Sequence, residues 1–204
     1  MNNGIASLRT KQALAAALKE KMKTKPFSKI TVQELIEECN VNRKTFYYHF
    51  EDIYGLLRWM FEEEAIQVIK QFDLLIDWED AIGFTCDYIQ ENRDILQCAC
   101  QSIGRDILKR FFFADFIGII ESVVSDSEKR LNCYLPEALK SYYCKFLTEA
   151  IAGMMLSYIE EDYPYTREES INHITIILRT SITGLLLEKG DTENRNPQTF
   201  KKNT

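Results

Sequence analysis

Residues 30–50, ITVQELIEECNVNRKTFYYHF, contain two sets of helix start signals separated by a tight turn. Thr31 and Glu34 have the spacing of a capping box, and Asn42 can serve as a second N-cap. Asn40 lies between them, and asparagine tolerates the left-handed conformation in which many helices end. The stretch therefore predicts two short helices joined by a turn, and the rest of the chain has to support that pair.

The second of these predicted helices, at 43–50, has an unusual outer surface. At 100° per residue Phe46 and Phe50 point inward together, which leaves Lys44 and Tyr48 pointing away from the core. Cations and phenols on one face suit DNA, because Lys and Arg reach base edges while Thr, Tyr and His hold phosphates. An ordinary helical hairpin with a solvated face gives the same pattern, so the periodicity alone leaves both interpretations open.

Charge is divided unevenly along the chain. The 204 residues include 25 Lys and Arg against 31 Asp and Glu, for a net charge of −6. Residues 1–52 hold nine of the basic and six of the acidic residues, a net charge of +3, so the remaining residues carry −9. A basic N-terminal region on an acidic body indicates a protein that presents one end to DNA.

The fold class follows from periodicity and composition. Hydrophobic residues form 46% of the chain and recur at helical spacing, with only four prolines. We predict an all-α protein of about nine helices, with an N-terminal three-helix helix-turn-helix head on a helical-bundle regulatory body. The predicted units are a DNA-binding domain at 1–52, a ligand-binding and dimerisation domain at 53–189, and a disordered polar tail at 190–204.

Caps and apolar stripes predict the individual helices. Thr10 should cap a first helix that runs to about residue 23, with residues 1–9 frayed. Asp52 should cap a fourth helix that connects head and body. This fourth helix is expected at 53–72. The remaining helices are expected at 79–90, 93–102, from Ile107 along a central apolar stretch, and at 136–160 and 167–188.

Each of the last two predicted helices has a stripe of bulky apolar residues and, beside it, a second stripe of mostly small residues. The small-residue stripes are Phe146, Ala150, Gly153 and Ser157 on one helix and Ile177, Ser181 and Gly184 on the next. Close helix–helix contact of this kind fits a dimer seam, and it fits equally well two stripes that are buried within one subunit.

Several protein classes are disfavoured by what the sequence contains. Its six cysteines form no C-x-x-C pair and look like small buried hydrophobes, and its only imidazoles are His49 and His173. It shows no Gly-rich phosphate loop, H-E-x-x-H or nucleophile elbow. No secretory signal or uninterrupted apolar run of about 18 residues appears. We therefore expect a cytoplasmic protein that is not an enzyme, with no cofactor, no metal and no membrane partner.

The run TFYYHF at 45–50, together with ITV at 30–32, CNVN at 39–42 and the pair Leu56-Leu57, resembles the TetR/AcrR family of bacterial transcriptional regulators. The resemblance implies a homodimer formed by the last two helices and bound to a palindromic operator in double-stranded DNA. Many members place a phosphate-gripping lysine after the recognition helix, where this chain has Glu51-Asp52-Ile53. The DNA-binding residues it implies are Thr31, Gln33, Asn42, Arg43, Lys44, Thr45, Tyr47, Tyr48 and His49.

Trp59 and the segment FEEE at 61–64 resemble, more weakly, the dihydroxyacetone-kinase-regulator branch of that family. The leading hypothesis is a repressor that a small apolar or aromatic effector releases from DNA. Effector contacts would come from Phe84, Cys86, Cys98, Phe112, Phe116 and Met154, which plain core packing explains as well.

Two alternatives remain. One is a DNA-binding regulator without a small ligand, an activator among the options, which a partner protein switches. A body cavity below about 300 Å³ would favour it. The more remote alternative is an all-helical enzyme.

Overall fold

The computed structural model describes residues 2–73, 77–160 and 164–191. Residues 2 and 3 are described by their backbone alone. Over these ranges the chain forms helices and no strand, which confirms the all-α class. A 3₁₀ turn, Phe27–Lys29, precedes α2, and a π-helical turn, Glu62–Ile66, joins α4 to α5. The helices are α1 Asn2–Met22, α2 Val32–Glu38, α3 Arg43–His49, α4 Ile53–Phe61, α5 Gln67–Ile69, α6 Trp78–Glu91, α7 Arg93–Ile103, α8 Arg105–Leu131, α9 Glu137–Ile159 and α10 Arg167–Lys189.

The helix-turn-helix has the caps that its sequence predicts. Thr31 Oγ1 accepts from the Glu34 amide at 3.3 Å, and the Glu34 carboxylate accepts from the Thr31 amide at 2.8 Å. Asn42 Oδ1 accepts from the Thr45 amide at 2.8 Å and starts α3. Asn40 takes the left-handed conformation, with φ of 50°, that reverses the chain between the two helices.

A compact apolar core holds α1, α2 and α3 together. Phe27, from the 3₁₀ turn, and Phe46, from α3, are fully buried beside Leu14, Leu18 and Leu35. Each fully buried apolar side chain contributes about 1.5–3 kcal/mol relative to exposure. This core sets the angle at which α3 is presented to solvent.

The first helix begins earlier than predicted. It starts at Asn2, so residues 4–9 are helical and Thr10 is an internal residue, not the N-cap. The Thr10 hydroxyl donates to the carbonyl of Ala6 at 3.0 Å, the back-bond by which threonine is accommodated inside a helix. The extension adds two turns to α1 on the side that faces the end of α3.

The predicted helix at 53–72 is an α-helix only in parts. It passes through the π-helical turn and ends at Ile69, after which the amides of Gln71 and Phe72 bond three residues back, to Val68 and Ile69. Such short bonds tighten and close a helix end. Residues 53–69 nevertheless form one continuous rod from the head into the body.

The body is organised around α8, as the central apolar stretch predicts. It packs along α9 and also contacts α7 and α10, while α6 packs on α10. Buried side chains near the head form one continuous cluster with the head core, so the division at residue 52 stays a prediction. A second cluster, around Trp78 and Val124, fills the distal end.

Among the described residues, α10 is the one helix whose length and composition would permit a membrane span. One such helix is weak evidence for a membrane span, because the core helix of a soluble protein passes the same test. The predicted tail at 190–204 lies outside the described residues from residue 192 onward. Gly190 and Asp191 are described, and the Asp191 backbone pairs with Tyr134 in an isolated bridge.

Candidate nucleic-acid interface

The outer face of α3 carries the residues expected to contact DNA. Lys44 is exposed, and Tyr48 is 81% exposed although it is a large aromatic residue. Phe46 and Phe50, on the opposite side, are buried in the head core. The helix therefore offers one cation and one phenol directly to solvent while its aromatic side anchors it.

Arg43 and Tyr47 form a pair along the edge of this face. The guanidinium carbon of Arg43 lies 5.6 Å from the Tyr47 ring centroid, and Arg43 Nη2 donates to Tyr47 Oη at 3.4 Å. Stacking on an aromatic ring leaves most guanidinium donors free and restricts the side chain. Arg43 is thus held at the interface with donors available for a base edge or a phosphate.

Three predicted phosphate or base contacts have hydrogen bonds within the head. Thr31 Oγ1 donates to Glu34 Oε2 at 2.9 Å, and Thr45 Oγ1 donates to Asn42 Oδ1 at 3.1 Å. In α2 the Gln33 amide donates to Glu37 Oε1 at 2.6 Å. The Thr31 and Thr45 hydroxyls have to rotate away from these acceptors before they donate to a phosphate. Gln33 still has a second N–H and its carbonyl oxygen available for DNA.

The capping carboxylate of α2 is held in its charged form. Lys25 forms an ion pair with Glu34 and, together with the bonds from Thr31, lowers the pKa of Glu34 to about 2. A permanent carboxylate beside Thr31 would repel a phosphate, and the Lys25 ammonium offsets that charge. The two residues act as a near-neutral unit at the edge of the interface.

His49, in the last turn of α3, contacts α1. Its Nδ1 lies 3.5 Å from Ser7 Oγ, and its ring packs edge-on against Tyr48. Burial, and then the nearby Lys11 ammonium, lower the pKa of His49 below 6.5, so its imidazole is neutral at pH 7. His49 therefore offers one N–H donor instead of a charge.

The segment after α3 has two acidic residues, Glu51 and Asp52, where the resemblance to the TetR/AcrR family predicts a lysine. Asp52 Oδ1 accepts from the Gly55 amide at 2.8 Å and caps α4. Glu51 is exposed beside it. Asp52 thus has a structural role, because it satisfies an orphan amide at the start of the rod that leaves the head.

Among the described residues of the body, an apolar cavity of about 110 Å³ lies between α6, α8, α9, α10 and Ile69 of α5. Two larger pockets, of about 430 and about 310 Å³, are lined in part by charged side chains. Cys86, Phe116 and Met154, three of the six residues predicted for an effector site, line it. Phe112 lines a smaller void of about 20 Å³ next to it.

Two predicted effector residues lie elsewhere. Phe84 stacks with Tyr88 at 6.3 Å between ring centroids, outside the cavity lining. Cys98 Sγ lies 3.7 Å from the carbonyl oxygen of Lys25, at the junction of α7 with the head. Among the described residues no group of three or more His, Cys, Asp or Glu side chains is placed to hold a metal ion.

The small-residue stripes of the last two helices face solvent, for the most part. Phe146 is 59% exposed and Ile177 is 58% exposed, and a Cβ built on Gly153 or Gly184 would meet no atom within 4 Å. Ser181 is the exception, because it accepts a 2.7 Å hydrogen bond from Tyr143 of the same subunit. Burial within one subunit therefore does not explain these stripes.

Three residues outside the predicted DNA-binding set make contacts in the head or next to it. Ser7 and Lys11 lie beside His49, and Glu64 lies between α1 and α6. Ser7 and Lys11 are four residues apart and so share a helix face, which was visible only once α1 was known to begin at Asn2. No local signal could have paired Glu64 with its partners.

Comparisons with known proteins agree with this arrangement. Residues 10–60 match the family described as bacterial regulatory proteins, tetR family, and residues 77–180 match TetR_C_8, a transcriptional regulator C-terminal region. One relative is the HTH-type dhaKLM operon transcriptional activator DhaS of Lactococcus lactis subsp. lactis (strain IL1403). It is 24% identical over 148 residues, which is 72% of this chain and 78% of the relative.

A solved structure, of the dihydroxyacetone kinase operon activator DhaS, superposes with a TM-score of 0.62 and 21% identity. The alignment covers 89% of this chain and 98% of that one. At this identity the structural likeness shows the fold alone.

Proposed function

We propose that this chain, which belongs to the TetR family of DNA-binding transcriptional regulators and to its DhaS-like branch, binds a palindromic operator as a homodimer. The family inferred from the TFYYHF run is thereby confirmed. The exposed face of α3 is the observation that carries the proposal. The base edges would be read by Gln33, Arg43, Lys44 and Tyr48. The phosphates would be contacted by His49 and by the hydroxyls of Thr31, Thr45 and Tyr47.

The apolar outward faces of α9 and α10 support the homodimer. Phe146, Ile177 and Leu187 are each more than half exposed, and Gly153 and Gly184 have open space above them. Small residues beside bulky ones permit close approach of helices from a second copy. A dimer of this kind would hold two α3 helices at the spacing of successive major grooves, about 34–36 Å.

Two modes of switching are compatible with a rod that links head and body. In the first, the protein is a repressor, and a small apolar effector in the body tilts α4 and separates the heads. In the second, a partner protein docks on the body, and activation is among the outcomes. The apolar cavity favours the second mode, because its volume of about 110 Å³ lies below the 300–1,000 Å³ of usual ligand pockets. The larger pockets of the body, of about 430 and about 310 Å³, are lined by charged side chains such as Asp126 and Arg130, which do not suit an apolar effector.

The relative from Lactococcus lactis is a transcriptional activator, which agrees with that second mode. We therefore place partner-driven switching first and release by an effector second. A crystal structure with a small molecule enclosed between α6, α8, α9 and α10 would overturn that order. We expect a DNA-binding regulator to act in the cytoplasm, as the sequence also predicts.

The test of the central proposal is selection of duplexes from a random-sequence pool by the full-length protein, followed by a salt titration of the selected duplex. A dimer that makes several phosphate contacts should give a slope of log K against log salt of several units. Selected sequences should be palindromic, with half-sites about one helical turn apart. If no sequence is enriched and binding does not depend on salt, the proposed function is wrong.

A further inference from the structure

We propose that Ser7, Lys11 and His49 form a phosphate-binding site at the C-terminal end of α3, where a backbone phosphodiester of DNA binds across α1 and α3. The site adds α1 to the DNA-contacting surface. This assignment rests on the proposed function, because it requires α3 to lie against DNA.

Lys11 differs from the other lysines of its helix. Lys19 and Lys21 each form an ion pair with a glutamate at 2.6 Å, as does Lys23 in the turn that follows the helix. Lys11 has no carboxylate partner among the described residues, and its side chain is half-buried. An ammonium group that is partly buried and not ion-paired is available to an anion from outside the chain.

Two aromatic rings hold this ammonium in place. Lys11 Nζ lies 5.7 Å from the centroid of the Phe50 ring and 5.4 Å from the centroid of the Trp59 ring. Ring faces attract a cation without neutralising its charge, with a contribution of about 0.5–1 kcal/mol at accessible sites. The charge is therefore positioned before DNA arrives, so binding a phosphate costs less side-chain entropy.

His49 supplies the second donor. Ser7 lies one turn before Lys11 on α1, and its hydroxyl is 3.5 Å from His49 Nδ1. When that hydroxyl donates to Nδ1, the imidazole proton is on Nε2, which is then a donor for a phosphate oxygen. Burial and the Lys11 charge lower the pKa of His49, so before DNA binds the site favours one cation beside one neutral donor.

The surrounding charges make this cation necessary. The segment after α3 contributes Glu51 and Asp52, both acidic, and Asp52 is committed to the cap of α4. DNA that lies along α3 brings its backbone close to these carboxylates. Lys11 reaches the same end of α3 from a different helix and offsets that repulsion.

The experiment uses full-length protein and the duplex that the wild-type protein selects from a random pool. The affinity of Lys11→Met is measured by fluorescence anisotropy from 50 to 300 mM KCl. Methionine keeps an unbranched side chain against the two rings and removes the charge. Loss of one phosphate contact per head, two per dimer, should reduce the salt slope by about 1.8 and weaken binding on the order of 10- to 100-fold at 0.1 M salt.

Lys23→Met is the control, because it removes the same charge at an exposed, ion-paired position in the turn directly after α1. It should leave the slope unchanged. Lys11→Arg should restore most of the slope, and the preference among operator sequences should be the same in all variants. Ser7→Ala should weaken binding by a smaller factor, through loss of the Nε2 donor geometry.

Equal slopes for Lys11→Met and Lys23→Met would overturn the phosphate site while leaving the proposed function intact. A wild-type protein that selects no duplex would overturn the proposed function itself. Lys11→Gln is a second charge-free variant should Lys11→Met alter the fold, which the thermal midpoint reports. A loss of affinity confined to some sequences would also contradict the assignment, because phosphates carry no sequence information.

Discussion

Lys19 Nζ in α1 lies 2.6 Å from Glu64 Oε2 in the π-helical turn, and the Tyr88 hydroxyl of α6 donates to the same oxygen at 3.0 Å. One carboxylate thus joins the head, the rod at 53–69 and the body. Burial, and then the Glu64 charge, raise the pKa of Tyr88, so its hydroxyl stays protonated and continues to donate. π-helical turns are frequent at functional positions of helices, and this one lies where movement of the body would reach the head.

Removing the Glu64 charge should loosen this junction. Glu64→Gln loses the ion pair with Lys19 and turns the charge-assisted hydrogen bond from Tyr88 into a weaker neutral one. A partly exposed ion pair of this kind contributes about 0.5–1 kcal/mol to the free energy of unfolding. Tyr88→Phe should cost about 1 kcal/mol. Because both act through one oxygen, urea unfolding of the double variant should show a loss smaller than their sum.

Glu63→Gln, on the adjacent residue of the same turn, is the control for this cycle. No hydrogen bond or ion pair of Glu63 is found among the described residues, so the substitution should change stability by less than about 0.5 kcal/mol. Additive effects of Glu64→Gln and Tyr88→Phe would contradict the shared contact.

Base reading and phosphate contact should separate on α3. Lys44→Ala removes an exposed cation from the centre of the outer face, and we expect it to relax the base preference, at about 1–3 kcal/mol for the contacted position. Tyr47→Phe removes a hydroxyl that Arg43 also contacts, and it should weaken binding across all sequences. Competition with a library of single-base operator variants measures both effects. A uniform loss for Lys44→Ala would place that residue on the backbone.

Bulk on the faces of α9 and α10 should block the dimer without unfolding the subunit. Ala150→Leu and Gly184→Leu add side chains where the subunit leaves space, since Ala150 is exposed and a Cβ on Gly184 meets nothing within 4 Å. Both should shift the protein to monomer in sedimentation equilibrium while the thermal midpoint of the monomer is kept. Ala114→Leu makes the same change on the exposed side of α8 and should leave the oligomeric state unchanged. Three variants with identical assembly would contradict the proposed seam.

Because of the cap of α2, the stability of the head should vary with pH in the acid range. The pKa of Glu34 is lowered from 4.5 to about 2, so the folded state favours the charged form. Its contribution is therefore fully present above pH 4.5 and is lost as the pH falls toward 2. The difference in free energy of unfolding between wild type and Glu34→Gln should be constant from pH 5 to 7 and should shrink below pH 4.5. A difference that grows as the pH falls would contradict the cap and its Lys25 pair.

Local signals predicted the helix-turn-helix in detail. Thr31, Asn42 and Asp52 cap the helices that they were expected to cap, and Asn40 has the expected left-handed turn. Each of these features depends on residues within four positions of one another, so the sequence contains all the information. Thr10 was misplaced because a threonine that bonds back to Ala6 inside a helix has the same local signature as a cap.

The sequence by itself determined the helical class, the caps of the head and the side of α3 that faces outward, because short-range periodicity and hydrogen bonding settle them. Only the tertiary structure decided which side chains meet across elements. It places Lys11 against Phe50 and Trp59, and it leaves about 110 Å³ in the apolar cavity between α6, α8, α9 and α10. Such contacts depend on how helices far apart in sequence pack together, and packing geometry is a property of the whole core instead of any one stretch.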